Sequence, residues 1–385
     1  MTIRLNKMFR DIKPTPMVTM FELVAKYKDL ISLGVGEPDF TTDSRIIKAA
    51  AEAAKAGHTH YPGILGDNDL RTAISKYWAD KYGLVSSAEE VMVTVGATQS
   101  IFMILQTIID PGDEVIVPSP YYTGYSQTID DAHAKGVYVK CCEGNEFVNP
   151  AENIEKCISP RTKAVLLNSP NNPAGALLSR EDALKISEVI IRHDLILISD
   201  EVYESLIFEG EHICMATLPG MRERTFTVGS FSKAYAMCGW RVGYAIGPKP
   251  VIDASKVACI GTTMCMNSIG QRAALYAIEN CQDFVDMMVE SFRERLDYAY
   301  ERINKIKGLS CAKPKATFYI FVNIKETGLK SMDFSLKILE EARVAAIPGI
   351  AFGADFDDYI RFACTVPMDK LKTALDKIEK ALTAA

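Results

Sequence analysis

The chain has 385 residues, 48% of them hydrophobic, with 43 lysines and arginines against 49 aspartates and glutamates for a formal net charge of -6. That is enough chain for sizeable apolar cores and long for one domain, so two domains are expected. The negative balance, with no lysine-arginine block, argues against a nucleic-acid partner, and no apolar stretch approaches the roughly 20 residues needed to span a bilayer.

From the N-terminus, Gly34-Val35-Gly36-Glu37-Pro38 is too short for a dinucleotide fingerprint. Tyr61 follows, with Gly66 and Leu70-Arg71 after it. An apolar strand at 91–95 then runs into Gly96 and a helical pattern of Ile101, Leu105, Ile108 and Ile109. A helix that begins after a glycine presents free N–H groups, here Ala97 and Thr98, and is a natural seat for an anion. Pro120-Tyr121-Tyr122 lies between strands at 114–117 and 137–140. The strand at 164–168 ends in Asn168-Ser169-Pro170-Asn171-Asn172-Pro173-Ala174-Gly175, which its prolines and glycine make a turn. Ser179 followed by Asp182 is a capping signal for a helix reaching about residue 191.

The apolar run 195–199 reads as a buried parallel strand, and it ends at Asp200-Glu201-Val202-Tyr203. Open α/β sheets place ligands beyond the carboxyl ends of their strands, which puts Asp200 where a ligand would be. Strands at 225–229 and 242–246 flank Ser230-Phe231-Ser232-Lys233-Ala234-Tyr235-Ala236-Met237-Cys238-Gly239-Trp240-Arg241. A long charged-apolar pattern from about 284 to 306 suggests a connecting helix, followed by a strand at 318–323. Near the end, Tyr359-Ile360-Arg361-Phe362-Ala363-Cys364 alternates like a strand carrying one arginine. A buried arginine needs an anion, and its planar fork suits a carboxylate; an internal salt bridge is the competing reading. Taken singly, each segment also reads as an ordinary turn, cap or core strand.

Together they carry more. Ser-x-Ser-Lys followed by Gly-Trp-Arg-x-Gly resembles the lysine signature of the class I pyridoxal-phosphate aminotransferases, the fold type shared with aspartate aminotransferase. The other segments follow that family's order over nearly the whole chain. The resemblance implies an α/β fold of type I: a large domain at 46–284 with a mostly parallel, seven-stranded sheet flanked by helices, and a smaller α/β domain formed by 1–45 and 285–385. It implies pyridoxal 5′-phosphate as cofactor, with Lys233 condensing with its aldehyde and Asp200 pairing with its ring nitrogen. Tyr203 and Asn172 would bond the ring oxygen, and Tyr122 would stack on the ring. Gly96, Ala97, Thr98, Ser230, Ser232 and Arg241 would hold the phosphate. Tyr61 would reach the phosphate of the neighbouring subunit in a homodimer. Gly36, Asn168, Asn172 and Arg361 would face the substrate, Arg361 on its α-carboxylate. Ala174 stands where the family usually has threonine, Pro14-Thr15-Pro16-Met17 departs from the usual Ser-x-Thr, and Ala316-Thr317-Phe318-Tyr319 replaces Gly-Ala-Phe-Tyr.

The activity implied is exchange of an amino group between an L-amino acid, of aspartate, aromatic, alanine or N-acetyl-diaminopimelate type, and a 2-oxo acid, with ping-pong kinetics. A carbon–sulfur or other β-lyase uses the same lysine, aspartate and arginine, and a non-catalytic cofactor-binding regulator is a further alternative. The ten cysteines are scattered, with no Cys-x-x-Cys, which suits reduced thiols in a cytoplasmic protein. Residues around Arg4, Lys7, Arg10 and Asp11 carry no apolar segment of a secretory signal. His58-x-His60 lacks the companions of a metal site, so no metal is expected.

Overall fold

Strands covered on both faces favour apolar residues at successive positions, as in Val91–Thr94 and Ile196–Asp200, and the seven runs noted above form one sheet, its edge strand at 135–140 largely exposed. The structure is a computed structural model that describes residues 3–4, 10, 14–148 and 150–383; Lys7 and Asp11, invoked against a signal segment, lie outside them. After a two-residue strand, β1 (Ile31–Ser32), come β2 (Val91–Thr94), β3 (Glu114–Ser119), β4 (Lys135–Lys140), β5 (Thr162–Asn168), β6 (Ile196–Asp200), β7 (Thr225–Ser230) and β8 (Gly243–Ile246). They assemble in the order β2-β8-β7-β6-β5-β3-β4. Neighbours from β7 through β4 run parallel, and β8 is antiparallel to both β2 and β7. In register, Asn168 pairs with Asp200, and Asp200 with Val228, so the carboxyl ends of β5, β6 and β7 share one edge.

Helices close both faces. The sequence signal at Ser179 is met: its side chain accepts a bond from the Asp182 N–H at 3.1 Å and starts helix Arg180–Arg192. On the other side Trp78 is fully buried and its indole N–H donates to the Tyr244 hydroxyl at 2.9 Å. That bond ties helix Asn68–Tyr82 to β8.

The chain then forms helix Gln282–Ile303, which at 22 residues spans about 33 Å. Beyond it lie β9 (Ser310–Cys311), β10 (Tyr319–Asn323), β11 (Val344–Ala345), β12 (Ile347–Pro348) and β13 (Tyr359–Ala363). Four of these make an antiparallel sheet in the order β12-β13-β10-β9, while β1 pairs in parallel with β11. The N-terminal segment therefore packs with the C-terminal part of the chain. One apolar cluster fills the large sheet through Val93, Val115, Leu166, Ile198 and Phe226. Another lies under the small sheet through Leu296, Ile320, Val322, Phe362 and Leu375. Phe318, Tyr319 and Ala363 belong to the first cluster, so the small sheet is sealed against the large one.

Among the described residues no helix is long and apolar enough to cross a membrane. All ten cysteines are unpaired.

A largely buried ion pair ties the N-terminal segment to the long helix. Arg295, on the long helix, donates to Asp39 at 2.7 Å with its side chain 8% exposed, and its guanidinium lies 5.3 Å from the Phe40 ring and 5.4 Å from the Phe292 ring. Removing one partner of a largely buried pair leaves the other desolvated and unmatched. Asp39→Ala is therefore expected to lower unfolding free energy by about 3 kcal/mol, read from urea unfolding of the two proteins side by side.

Candidate active site

Ser230 ends β7 in extended conformation, and its hydroxyl accepts the Ser232 N–H at 3.1 Å, capping the one-turn helix Phe231–Ala234. This short turn aims Lys233 away from the sheet. Its amine donates to the Gly36 carbonyl at 2.6 Å and lies 3.8 Å from the Cys238 sulfur. No carboxylate pairs with it among the described residues. Gly36 is required there because a Cβ would stand 2.2 Å from the Tyr319 hydroxyl oxygen.

Lys233 opens into a cavity of about 280 Å³. Asp200, from the end of β6, is 5% exposed on another wall. Its Oδ2 accepts the Tyr125 hydroxyl at 2.5 Å, and Oδ1 accepts the Val202 N–H at 3.3 Å. Burial pushes this carboxyl up to about 6, against the opposing pull of those two hydrogen bonds. No cation pairs with it among the described residues. Across the cavity Arg361, from β13, is 3% exposed, and burial lowers its pKa. Its Nη1 donates to Asn172 Oδ1 at 3.0 Å and its Nη2 to the Gly34 carbonyl at 2.6 Å, while Nε is buried without a partner. The rings of Tyr319 and Phe352 lie 4.3 and 5.0 Å from the guanidinium carbon. No salt bridge forms to Arg361 among the described residues, which removes the internal-pair reading of this strand.

A line of hydrogen bonds connects the acid to the arginine. Asn168 Nδ2 donates to the Asp200 carbonyl at 2.9 Å, Asn168 Oδ1 accepts the Asn172 N–H at 2.8 Å, and Asn172 receives Arg361. The turn after β5 is thereby fixed at both ends. Tyr203 contributes its hydroxyl, 3.0 Å from that of Tyr319.

Helix Gly96–Ile108 begins with no side-chain cap, and its Ala97 and Thr98 line the same cavity as Ser230, Ser232 and Arg241. Gly96 adopts φ +73°, and a Cβ on it would stand 2.4 Å from Arg241 Nη2. It seats the arginine from behind without lining the cavity. Arg241 itself has φ +56°, a conformation uncommon for a side-chain-bearing residue. Tyr122 also lines the cavity. Tyr61 does not: it is 85% exposed and outside this chain's own cavity.

Several wall residues carried no assigned role in the sequence. Tyr125, in the first turn of helix Gly124–Asp131, stands three positions after Tyr122, and that proximity was its available signal. Tyr319, Met17 and Phe21 also line the cavity, and Cys238 touches Lys233.

An amine, a carboxylate without a cation, an arginine without an anion, and an uncapped helix start beside two serines and Arg241 together ask for one ligand with matching groups. Pyridoxal phosphate has them: an aldehyde, a basic ring nitrogen and a phosphate, and an amino acid brings the carboxylate. The residues fit this cofactor. Among the described residues no cluster of His, Cys, Asp or Glu is placed to hold a metal ion.

The sequence profile of the family described as aminotransferase class I and II matches residues 28–378. The chain is 37% identical to an aspartate aminotransferase of Geobacillus stearothermophilus, over 99% of this chain and 100% of that protein. It is also 37% identical to aromatic-amino-acid aminotransferase 2 of Thermococcus litoralis, over 96% of each. The crystal structure of the aspartate aminotransferase from Rhizobium meliloti superposes with a TM-score of 0.95 at 36% identity, covering 99% of both chains. The chain belongs to the class I aminotransferases, fold type I and aspartate aminotransferase-like, and is a pyridoxal-phosphate-dependent transaminase.

Proposed function

We propose that this site exchanges an amino group between an L-amino acid and a 2-oxo acid in two half-reactions, with Lys233, Asp200 and Arg361 as its central groups. The observation that carries the reading is the convergence of these three on one cavity, from three separate elements, each without a protein counter-charge. Buried charges are kept unmatched in a fold when a ligand completes them.

When bound, pyridoxal phosphate supplies an aldehyde and an aromatic ring that accepts the electrons of a broken Cα bond. Lys233 Nζ serves as the anchoring amine and then moves the proton at the substrate Cα. Asp200 remains anionic and holds a proton on the ring nitrogen, and Tyr125 orients its carboxylate. Asn172 and Tyr203 would hold the ring oxygen, and Tyr122 would cover the ring face. Ala97, Thr98, Ser230, Ser232 and Arg241 bind the phosphate at the helix start, with Gly96 supporting Arg241. Arg361 clamps the α-carboxylate, with Asn168 and Gly36 on the substrate side, so that the Cα–H bond is held in one orientation.

The exposed Tyr61 and the solvent-facing Thr98 and Arg241 support a homodimer in which Tyr61 reaches the partner's phosphate end. The separate cluster under the small sheet supports a division into a large domain, 46–284, and a small one from 1–45 and 285–385. Ten unpaired thiols suit a reducing, cytoplasmic setting.

The test is the visible absorbance of the holoenzyme mixed with one amino acid and no acceptor. Loss of the yellow band with release of the matching 2-oxo acid is expected; steady release of pyruvate and ammonia without an acceptor would sink the transfer reading in favour of a lyase. Lys233→Ala should reduce turnover by at least about 1,000-fold, given what a positioned proton-transfer group contributes. Arg361→Lys keeps the charge but loses the fork, so KM for the amino acid should rise about tenfold.

A pH dependence follows from Asp200. Its carboxyl, pushed up to about 6 before the cofactor binds, is neutral below that pH and cannot pair with a protonated ring nitrogen. Affinity of the cofactor-free enzyme for pyridoxal phosphate should therefore be full above about pH 6 and fall by up to tenfold per pH unit below it. Asp200→Asn should bind more weakly at neutral pH and lose this part of the profile; an unchanged profile in the variant would assign the titration to another group.

A further inference from the structure

Tyr319 reaches three of the groups named above, Arg361, Tyr203 and Gly36, and the function proposed for them gives it no task. It lies in β10 two residues before Phe321, the register partner of Arg361, so its side chain and that of Arg361 stand on one face of the small sheet. The Arg361 guanidinium carbon is 4.3 Å from its ring. Its hydroxyl lies 3.0 Å from that of Tyr203 and 3.5 Å from the Gly36 carbonyl.

Tyr319 is buried, and its backbone is tied to that of Tyr203. Thr317 Oγ1 accepts the Tyr319 N–H at 3.1 Å. The Thr317 N–H donates to the Leu206 carbonyl at 2.8 Å, and the Leu206 N–H to the Tyr203 carbonyl at 2.9 Å. The two hydroxyls are thereby held together although one tyrosine follows β6 and the other lies in β10.

Each hydroxyl brings one proton, so the pair has two orders. In the first, Tyr319 donates to Tyr203, whose own proton is free for a further acceptor in the cavity. In the second, Tyr203 donates to Tyr319, which passes its proton to the Gly36 carbonyl. The distances favour the first, because that carbonyl is 3.5 Å away and already takes the Lys233 amine at 2.6 Å. Burial raises the Tyr203 pKa well above the usual tyrosine value, which keeps its hydroxyl protonated at neutral pH.

We infer that Tyr319 is a positioning residue: its hydroxyl donates to Tyr203 and so directs the Tyr203 proton onto the ring oxygen of pyridoxal phosphate. In the function proposed above, on which this rests, Tyr203 stands at that oxygen. A hydroxyl that accepts one hydrogen bond donates a stronger one, so Tyr319 acts on the cofactor through its neighbour.

The experiment is a pH titration of the visible spectrum of the holoenzyme with no substrate present. A donor on the ring oxygen favours the form in which that oxygen carries the charge and the nitrogen joining Lys233 to the cofactor has lost its proton. Tyr319→Phe keeps the ring and removes only the hydroxyl. It should raise the midpoint by about half a pH unit or more, the equivalent of one weakened hydrogen bond. Gly36→Ala, whose Cβ would stand 2.2 Å from the Tyr319 hydroxyl oxygen, should move the midpoint the same way and add less than its full shift on top of Tyr319→Phe. A midpoint that falls in Tyr319→Phe shows the second order of the pair and overturns the assignment. A midpoint unmoved there and raised only in Tyr319→Leu, which loses the ring as well, traces the effect to packing and overturns it too. Wild-type holoenzyme that titrates while none of the variants shifts overturns this inference alone. A wild-type chain that takes up no pyridoxal phosphate overturns the proposed function and this inference together.

Discussion

Asp200 and Arg361 are both buried on one cavity, and neither has an opposite charge from the protein. Each costs the fold desolvation that only a ligand repays, so the scaffold must hold them at a fixed separation while the site is empty. The Asn168–Asn172 turn performs this task. It bonds the Asp200 backbone at one end and the Arg361 guanidinium at the other, with no charge of its own to neutralise either.

The rest of the architecture serves that spacing. Parallel strands β5, β6 and β7 deliver Asn168, Asp200 and Ser230 to one edge of the large sheet, because parallel register brings their carboxyl ends together. Arg361 comes from a different sheet, where β13 pairs with β10 and β12. The shared core residues Phe318, Tyr319 and Ala363 hold the small sheet against the large one. The uncapped start of helix Gly96–Ile108 and Arg241 line the same cavity as the Ser230 turn.

Much of this could be read before the fold was known, where the signal was local. The seven strands of the large sheet fall within two residues of their expected positions, and those buried on both faces, such as β2 and β6, gave the clearest apolar runs. Ser179, the glycine before helix Gly96–Ile108 and the proline-rich turn after Asn168 announced themselves through capping and φ restrictions. The antiparallel direction of β8 was not legible, since an apolar run reads alike both ways. Tyr125 was passed over although it stands three residues from Tyr122, for nothing in its neighbourhood foretells that its hydroxyl meets a carboxylate 75 positions away.

By itself the sequence, through the family its segments resemble, singled out the residues proposed to bear the chemistry, because lysine, aspartate and arginine sit in short segments whose turns, caps and strands are set by near neighbours. Only the tertiary structure decided what each of these residues faces. It left Arg361 with an amide and a carbonyl in place of a salt bridge, put Met17 and Phe21 on the same cavity as Lys233, and turned Tyr61 outward. The physical reason is range: backbone preferences act over a few residues, whereas desolvation and side-chain packing depend on groups hundreds of positions apart that only the folded chain brings into contact.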